Sequence, residues 1–355
     1  MSKRKNDIAL ELYEEPGWIN IPALAATGAW CIVIIGKRQV GKTFGTLKYM
    51  LDKGKYFLYL RRTSNELQAI AADPDLNPFT PLQKVGYDIG IQKAGKITYA
   101  IGTKRQVADD KWALDKRVAV GMALPSIATV RGFDGSAFSD VVYDEFIPER
   151  IAAKRKAEGE AVLNAYVTIC GNRELDGKPP LRLWLLANAF DISSPVLQEL
   201  GLIEIISKMT RTNREYIMTD TGVLVCMPHS DNVTSKRKQT ALMKHLAGKG
   251  DFYQMAMENK FVYNNLENVR PRALNGMKPL FDFCGLYVYQ MDATHYYVCN
   301  SPHQQHEHYK DTPQSSLLLE TNHPEFRAMC MLGQVDFETI AALLKTRTYL
   351  DIDDK

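Results

Sequence analysis

The stretch GKRQVGKT, residues 36–43, follows directly on the apolar run WCIVII and constrains the fold more than any other part of the sequence. It has the spacing G-x-x-x-x-G-K-[ST], in which two glycines let the backbone fold around an anion with its amide groups pointing inward. A chance glycine turn is the alternative. However, the run before it has the pattern of a buried strand and the residues after it have the pattern of a helix, which is the context that a phosphate-binding loop requires.

This loop predicts the residues that bind the phosphates of a nucleotide. Lys42 is expected to reach the β- and γ-phosphates, and the hydroxyl of Thr43 is expected to ligate Mg²⁺. The helix that begins at Lys42 adds the positive end of its dipole. The expected nucleotide-binding residues are Gly36, Lys37, Arg38, Gln39, Val40, Gly41, Lys42 and Thr43.

A pair of acids ends a second strand pattern, in the segment DVVYDEF. Nucleotide hydrolysis needs a carboxylate on the metal and a group that orients the attacking water, and we assign these roles to Asp144 and Glu145 respectively. Two solvated acids at a strand end are the alternative. The second acid favours an ATPase with its own general base over a Ras-like GTPase, and no guanine-reading N/T-K-x-D motif occurs where one is expected. The sequence therefore predicts ATP and Mg²⁺ as ligands.

Two further polar groups are expected near the γ-phosphate. The strand pattern LRLWLLANA ends at Asn188, whose amide either senses the γ-phosphate or only caps a following helix. Hydrolysis in ring-shaped motors usually also needs an arginine, often from the neighbouring subunit. The candidates are Arg61, Arg62, Arg131 and Arg173, although most surface arginines are only solvated charges.

Strand and helix patterns alternate from residue 30 to about 206, which predicts an α/β domain with a mostly parallel sheet. The acid-pair strand is not the sequence neighbour of the P-loop strand, which is typical of additional-strand ATPases. After about residue 207 hairpin patterns dominate. We therefore predict an N-terminal extension (1–27), a P-loop ATPase domain (28–207) and a smaller α+β domain (208–355).

Composition excludes several classes of protein. The net charge of +3 is compatible with DNA binding but does not require it. The six cysteines are scattered without a CxxC pair, so we expect a reduced, cytosolic protein without disulfides or a cysteine zinc site. No apolar run approaches the ~20 residues of a membrane span, and no membrane association is expected.

Five segments together resemble the DNA-encapsidation ATPases of phi29-like tailed phages, relatives of the terminases and of FtsK/HerA-type translocases. They are GKRQVGKT, YLRRTSNEL, VVYDEF, NRE and LLANA, and the resemblance covers residues 28–345. It implies ATP-driven translocation of double-stranded viral DNA into a prohead by a homopentameric ring at the portal, in the host cytoplasm. A packaging RNA is a further candidate partner. The resemblance also implies that Arg173 acts on the nucleotide of the neighbouring subunit.

The resemblance further implies that the C-terminal domain is RNase H-like and has lost nuclease activity. Asp282 and Asp292 flank the strand pattern FCGLYVYQ, but no third strand offers the additional carboxylate that a two-metal nuclease needs. A helicase-like or repair ATPase acting on DNA, and a nucleotide-dependent structural protein with negligible turnover, remain alternatives.

Basic clusters are the candidates for contacts with the DNA backbone, because packaging must ignore base sequence. They are SKRK (235–238), Lys104 with Arg105, and DDKWALDKR (109–117), and each is also explained as an ordinary solvated loop. The residues that contact adenine are not assigned by the sequence.

Overall fold

The computed structural model describes residues 10–15, 17–37, 39–108, 111–129, 135–148, 157–189, 192, 194–230, 235, 238–246, 268–302 and 307–352. Contacts divide the chain into two compact units. The first unit comprises residues 1–200 and 209–262, and the second comprises residues 201–208 and 263–355. Within the described ranges, no helix is both long and apolar enough to cross a bilayer.

The strands of the first unit are β1 (Tyr13–Glu14), β2 (Trp18–Ile19), β3 (Cys31–Ile35), β4 (Phe57–Arg61), β5 (Ile89–Lys93), β6 (Thr98–Ala108), β7 (Lys111–Ala123), β8 (Asp140–Asp144), β9 (Arg182–Ala187), β10 (Tyr216–Met218) and β11 (Val223–Cys226). Within the described residues, β3 to β11 form a nine-stranded sheet with the order β10-β11-β3-β9-β8-β4-β7-β6-β5. The six strands from β11 to β7 are parallel, and the strands at both edges are antiparallel. A separate hairpin of β1 and β2 precedes this sheet.

Continuous apolar runs explain the central strands, because a parallel sheet that is covered on both faces buries every residue of its strands. All five residues of β3, of β4 and of β8 are buried. This confirms the predicted α/β class with a mostly parallel sheet. The helices are α1 (Ile21–Ala26), α2 (Lys42–Asp52), α3 (Ser64–Ala72), α4 (Thr80–Gln83), α5 (Leu124–Ile127), α6 (Glu158–Cys170), α7 (Pro195–Glu199), α8 (Ile203–Thr212), which has residues of both units, and α9 (Ala241–Leu246).

Strand β9 lies between β3 and β8, as expected of an additional-strand ATPase. Its register aligns Ala187 with Ile35 on one side and Leu186 with Asp144 on the other. Because the three strands are parallel, their carboxyl ends meet at one edge of the sheet, where α/β proteins bind their ligands. The loop after β3, the acids at the end of β8 and Asn188 after β9 are thereby brought together.

The structure differs from the predicted boundary near residue 207. The predicted hairpin in REYIMTDTGVLVCMP forms as β10 and β11, but β11 pairs in parallel with β3 and extends the first sheet. The change in composition after residue 207 therefore does not mark the start of a second hydrophobic core. Strand β11 follows residue 207 in the chain, yet it belongs to the first sheet because it pairs with the edge of β3. The predicted extension is also part of the first unit, since Leu12, Ile19 and Leu24 are buried in the same core as β3.

The elements of the second unit are β12 (Lys278–Phe283), β13 (Leu286–Gln290), β14 (Tyr296–Cys299), β15 (His308–Tyr309), β16 (Val335–Phe337), α10 (Pro313–Asn322), α11 (Pro324–Met331) and α12 (Ile340–Tyr349). Its strands form a five-stranded sheet with the order β15-β12-β13-β14-β16 in the described residues. The predicted hairpin of GLYVYQMDATHYYVCN is confirmed as β13 and β14. Among the described residues, no group of three or more His, Cys, Asp or Glu side chains could hold a metal ion. The RNase H-like identity of this unit stays a prediction.

Candidate nucleotide-binding site

The loop between β3 and α2 has the backbone geometry that phosphate binding requires. Gly41 has φ 85°, in the left-handed region that favours glycine, and Gln39 has φ 68°. Gly36 lies against Pro228, so that a Cβ at Gly36 would come within 3.0 Å of that ring. Arg38 lies outside the described residues.

Lys42 is held over the loop by three acceptors. Its Nζ donates to the carbonyl oxygens of Gly36 at 2.9 Å and Lys37 at 2.8 Å, and to Oδ1 of Asn188 at 3.0 Å. The side chain is nearly buried, so these bonds replace the water that the ammonium group has lost. Asn188 therefore contacts the P-loop lysine directly, at the place where a γ-phosphate would compete for the same ammonium.

Asp144 joins the loop to the acid pair. Its Oδ1 accepts a hydrogen bond of 2.9 Å from Oγ1 of Thr43, and its Oδ2 accepts one of 3.1 Å from the hydroxyl of Tyr59. Burial raises the pKa of Asp144 above its ordinary value, although the charge of Arg61 opposes this effect. A buried carboxylate beside a threonine hydroxyl is a donor set that fits a hard divalent cation such as Mg²⁺, which would favour the ionised acid.

Glu145 follows Asp144 with a left-handed backbone, at φ 55°. Its side chain is 58% exposed at the mouth of the site, and its Oε2 accepts a bond of 2.7 Å from Nη2 of Arg61. The two neighbouring acids therefore have different surroundings. Asp144 is enclosed with the loop, whereas Glu145 reaches into solvent, where an attacking water can be bound.

Arg61 is the residue of this site whose position the sequence did not predict. It is one of the candidate charge-stabilising arginines, and the structure places it between the acids: Nη1 lies 3.4 Å from Asp144 and Nε 3.3 Å from Glu66. Burial opposes its charge, but the surrounding acidic groups raise the pKa of Arg61 above its ordinary value. The sequence feature that could have indicated this role is the position of Arg61 at the end of β4, the strand that pairs with β8.

The P-loop, the acid pair and Asn188 line a cavity of about 260 Å³. Seven of its lining residues belong to the predicted site, and Phe44 and Ala187 are additional. The volume is below the roughly 300–1,000 Å³ typical of pockets that enclose a whole ligand. The cavity has room for the phosphates of a nucleotide. The lining residues are Gln39, Gly41, Lys42, Thr43, Phe44, Asp144, Glu145, Ala187 and Asn188.

Arg173 does not lie in this cavity. Its guanidinium donates to the carbonyl oxygens of Pro179 at 2.6 Å, Phe138 at 2.9 Å and Ser136 at 3.2 Å. Phe138 precedes β8 and Asp144 ends it, so Arg173 lies at the opposite end of β8 from the acids of its own chain. Strand β8 alone is about 13 Å long, at about 3.3 Å per strand residue.

The remaining candidate arginines do not contribute to the cavity either. Arg62 makes a buried two-bond ion pair with Glu158, which also accepts a hydrogen bond from Tyr143. This pairing satisfies Arg62 inside the fold. Arg131 lies outside the described residues.

Comparison with known protein families assigns the chain to one of them. The sequence model of the podovirus DNA encapsidation protein (Gp16) family matches residues 20–284. The chain belongs to this DNA encapsidation family. The matched segment contains the loop, the acid pair and Asn188. Membership in the family assigns the chain to the encapsidation of phage DNA.

Solved structures agree with this assignment at the level of the fold. The encapsidation protein is similar to the Phi-28 gp11 DNA packaging motor, with 15% identity and a TM-score of 0.61 over 96% of this chain and 100% of that one. It is also similar to the bacteriophage Phi-29 viral genome packaging motor assembly, with 18% identity and a TM-score of 0.63 over 94% of this chain and 98% of that one. No curated protein matches the sequence.

Proposed function

We propose that this chain is the ATP-hydrolysing subunit of a ring-shaped motor that drives double-stranded DNA through a portal into a prohead. One observation carries the proposal. The P-loop lysine bonds to Asn188 and the P-loop threonine bonds to Asp144, so that three separate strand ends converge on one cavity in a chain of the DNA encapsidation family.

The side chains divide the work of hydrolysis between them. Lys42 exchanges its bonds to loop carbonyls for bonds to the β- and γ-phosphates of ATP. Thr43 and Asp144 would hold Mg²⁺, which would neutralise charge on the phosphates. Glu145 leaves Arg61 to orient the attacking water and accept its proton. Asn188 loses its hydrogen bond to Lys42 when Lys42 binds the phosphates. The binding of nucleotide thereby changes the contacts of the residue that follows β9.

The assembly follows from the same proposal. ATP lies at the interface between two subunits, and Arg173 of one subunit neutralises charge that develops on the nucleotide of the next. Its distance from the acids of its own chain supports a role in the neighbouring site. The proposal also includes a pentameric ring, a portal on the prohead, a packaging RNA and action in the host cytoplasm. The phi28 and phi29 packaging motors of similar fold support it.

Phosphate release measured with and without duplex DNA tests the proposal, together with strand displacement on a forked duplex. We expect duplex DNA to stimulate hydrolysis several-fold and no strand to be displaced, because a packaging motor moves intact duplex. Displacement of the strand would instead support the helicase-like alternative. Hydrolysis near background under all conditions would support a structural protein.

The long hairpin of β6 and β7 is the proposed contact with DNA. It unites two of the predicted basic clusters, since Arg105 pairs with Ala113 and Gly102 pairs with Arg117 across it. Arg105, Lys116 and Arg117 are exposed and form no ion pair within the described residues. These charges suit the phosphate backbone, whose recognition needs no base contacts.

Replacing Arg105 and Lys116 together with alanine should weaken binding of duplex DNA and make its salt dependence shallower. Each lost phosphate contact removes about 0.9 from the slope of log affinity against log salt, so the slope should fall by about 1.8. Titration of a fluorescent duplex at several salt concentrations measures this change. The charge-matched pair Lys53→Ala and Lys84→Ala, on exposed residues elsewhere in the first unit, should leave the slope unchanged. If both variants show the same slope of log affinity against log salt, the hairpin does not contact the DNA.

A further inference from the structure

Trp18 lies on the rim of the P-loop and has no assigned role. A Cβ added to Gly41 would lie 3.3 Å from Cβ and Cγ of Trp18, so the indole rests on that glycine. The indole also meets the ring of Phe44 edge to face, with the ring centroids 5.4 Å apart. Gly41 and Phe44 both line the cavity and stand on either side of Lys42 and Thr43. Trp18 therefore packs against two residues that line the cavity.

The strand that carries Trp18 is fixed to the loop. The main-chain amide of Ile19 donates to the carbonyl oxygen of Val40 at 3.0 Å, and the side chain of Ile19 is buried in the core. On the other side, Oγ of Ser230 donates to the carbonyl oxygen of Gly17 at 2.6 Å. The position of the indole relative to the loop is thus set by the backbone on both sides of Trp18.

Although its backbone is fixed, the indole remains 37% exposed. A tryptophan side chain left in water beside a nucleotide-binding loop leaves apolar area that a ligand can cover. With its phosphates in the P-loop, a nucleotide extends its nucleoside away from Lys42, and Trp18 packs against Gly41 and Phe44 of the cavity lining. An exposed aromatic face in that position matches the flat, polarisable face of a nucleobase.

We propose that the base of the bound nucleotide stacks on the indole of Trp18. The inference rests on the proposed function, because it requires the phosphates to occupy the P-loop. Stacking on an aromatic face tolerates any base and grows with the area of the ring. The platform should therefore favour purine nucleotides over pyrimidine nucleotides without distinguishing strongly between ATP and GTP.

Affinities for ATP and for inorganic tripolyphosphate, each with Mg²⁺, test the proposal. Trp18→Ala should weaken ATP binding by about tenfold, as expected for the loss of one stacked base, and should change tripolyphosphate binding less than twofold. The loss should be similar for GTP and smaller for CTP. Trp18→Phe keeps an aromatic face and should retain ATP affinity within about threefold. Leu76→Ala, which removes another exposed apolar side chain of the first unit, is the control and should change the binding of neither ligand.

A second readout does not depend on the folding of the alanine variant. The fluorescence difference between the wild-type chain and Trp18→Phe should change on addition of ATP and stay constant on addition of tripolyphosphate. The proposal is overturned if Trp18→Ala weakens both ligands equally, which indicates a structural role at Gly41, or if ATP leaves the fluorescence difference unchanged. If the wild-type chain binds neither ligand, the proposed function fails and this proposal fails with it.

Discussion

Replacing Glu145 with glutamine is expected to lower the turnover of ATP hydrolysis by at least about a hundredfold, because a general base contributes roughly 10²–10⁴-fold to such a step. Glutamine has nearly the same shape but cannot accept the proton of the attacking water. Glu145 is exposed at the mouth of the cavity, and its side chain bonds to Arg61 and makes no hydrogen bond to the P-loop among the described residues, so ATP affinity should stay within a few fold of the wild type. Steady-state phosphate release and equilibrium binding of a fluorescent ATP analogue measure the two effects separately.

Glu66→Gln is the matched control for this experiment. Glu66 also pairs with Arg61, at 3.3 Å, but it lies in the first turn of α3 and does not line the cavity. The same chemical change there should leave turnover within a few fold of the wild type. If Glu145→Gln hydrolyses ATP at the wild-type rate, the assignment of Glu145 as the general base is wrong. If both variants lose activity equally, the pairing of Arg61, rather than the base, limits the reaction.

Replacing Lys42 with methionine is expected to remove nucleotide binding, with a loss of affinity of about a hundredfold or more. Hydrogen bonds to charged groups contribute about 1.5–3 kcal/mol each, and Lys42 is expected to make more than one of them to the phosphates. Methionine keeps the length and the apolar stem of the side chain, so packing around α2 is largely retained. Equilibrium binding of ATP and of tripolyphosphate measures the effect, and both ligands should be affected equally.

The control for this variant is Lys48→Met on the same helix. Lys48 pairs with Asp52 at the surface, where both side chains are about 40% exposed, and such pairs contribute little to stability. This variant should bind and hydrolyse ATP as the wild type does. Near-normal ATP affinity in Lys42→Met, with its fold verified by circular dichroism, would contradict the phosphate-binding role of the loop.

The two variants together separate binding from chemistry. Lys42→Met should bind neither nucleotide nor tripolyphosphate, whereas Glu145→Gln should bind nucleotide and stall before hydrolysis. In rings that contain both wild-type and variant subunits, Glu145→Gln is expected to inhibit packaging more strongly than Lys42→Met. The Glu145→Gln subunit keeps its ATP bound and blocks the hydrolysis cycle, whereas the Lys42→Met subunit binds no nucleotide. Packaging assays with a series of wild-type to variant ratios measure this difference.

Arg61 shows why part of the site could not be predicted. The residues that the sequence identified are short runs along the chain: the loop of residues 36–43, the acid pair after a buried run, and Asn188 after another. In contrast, the contact of Arg61 with Glu145 joins residues 84 positions apart, and it exists because β4 and β8 are neighbours in the sheet. The spacing of apolar residues predicts that a strand exists, but it does not say which strand lies beside it.

The P-loop, the acids, the polar residue after β9 and the α/β class can be predicted from the sequence, since each depends on residues close together along the chain. In contrast, no local pattern shows that β9 separates β3 from β8, that β10 and β11 complete the first sheet, or that Trp18 packs against Gly41, and these features are seen in the folded chain alone. The physical reason is that strand order and side-chain contacts depend on how apolar surfaces from all parts of the chain pack against one another. This packing involves segments that lie far apart in the chain, and the local spacing of apolar residues carries no information about it.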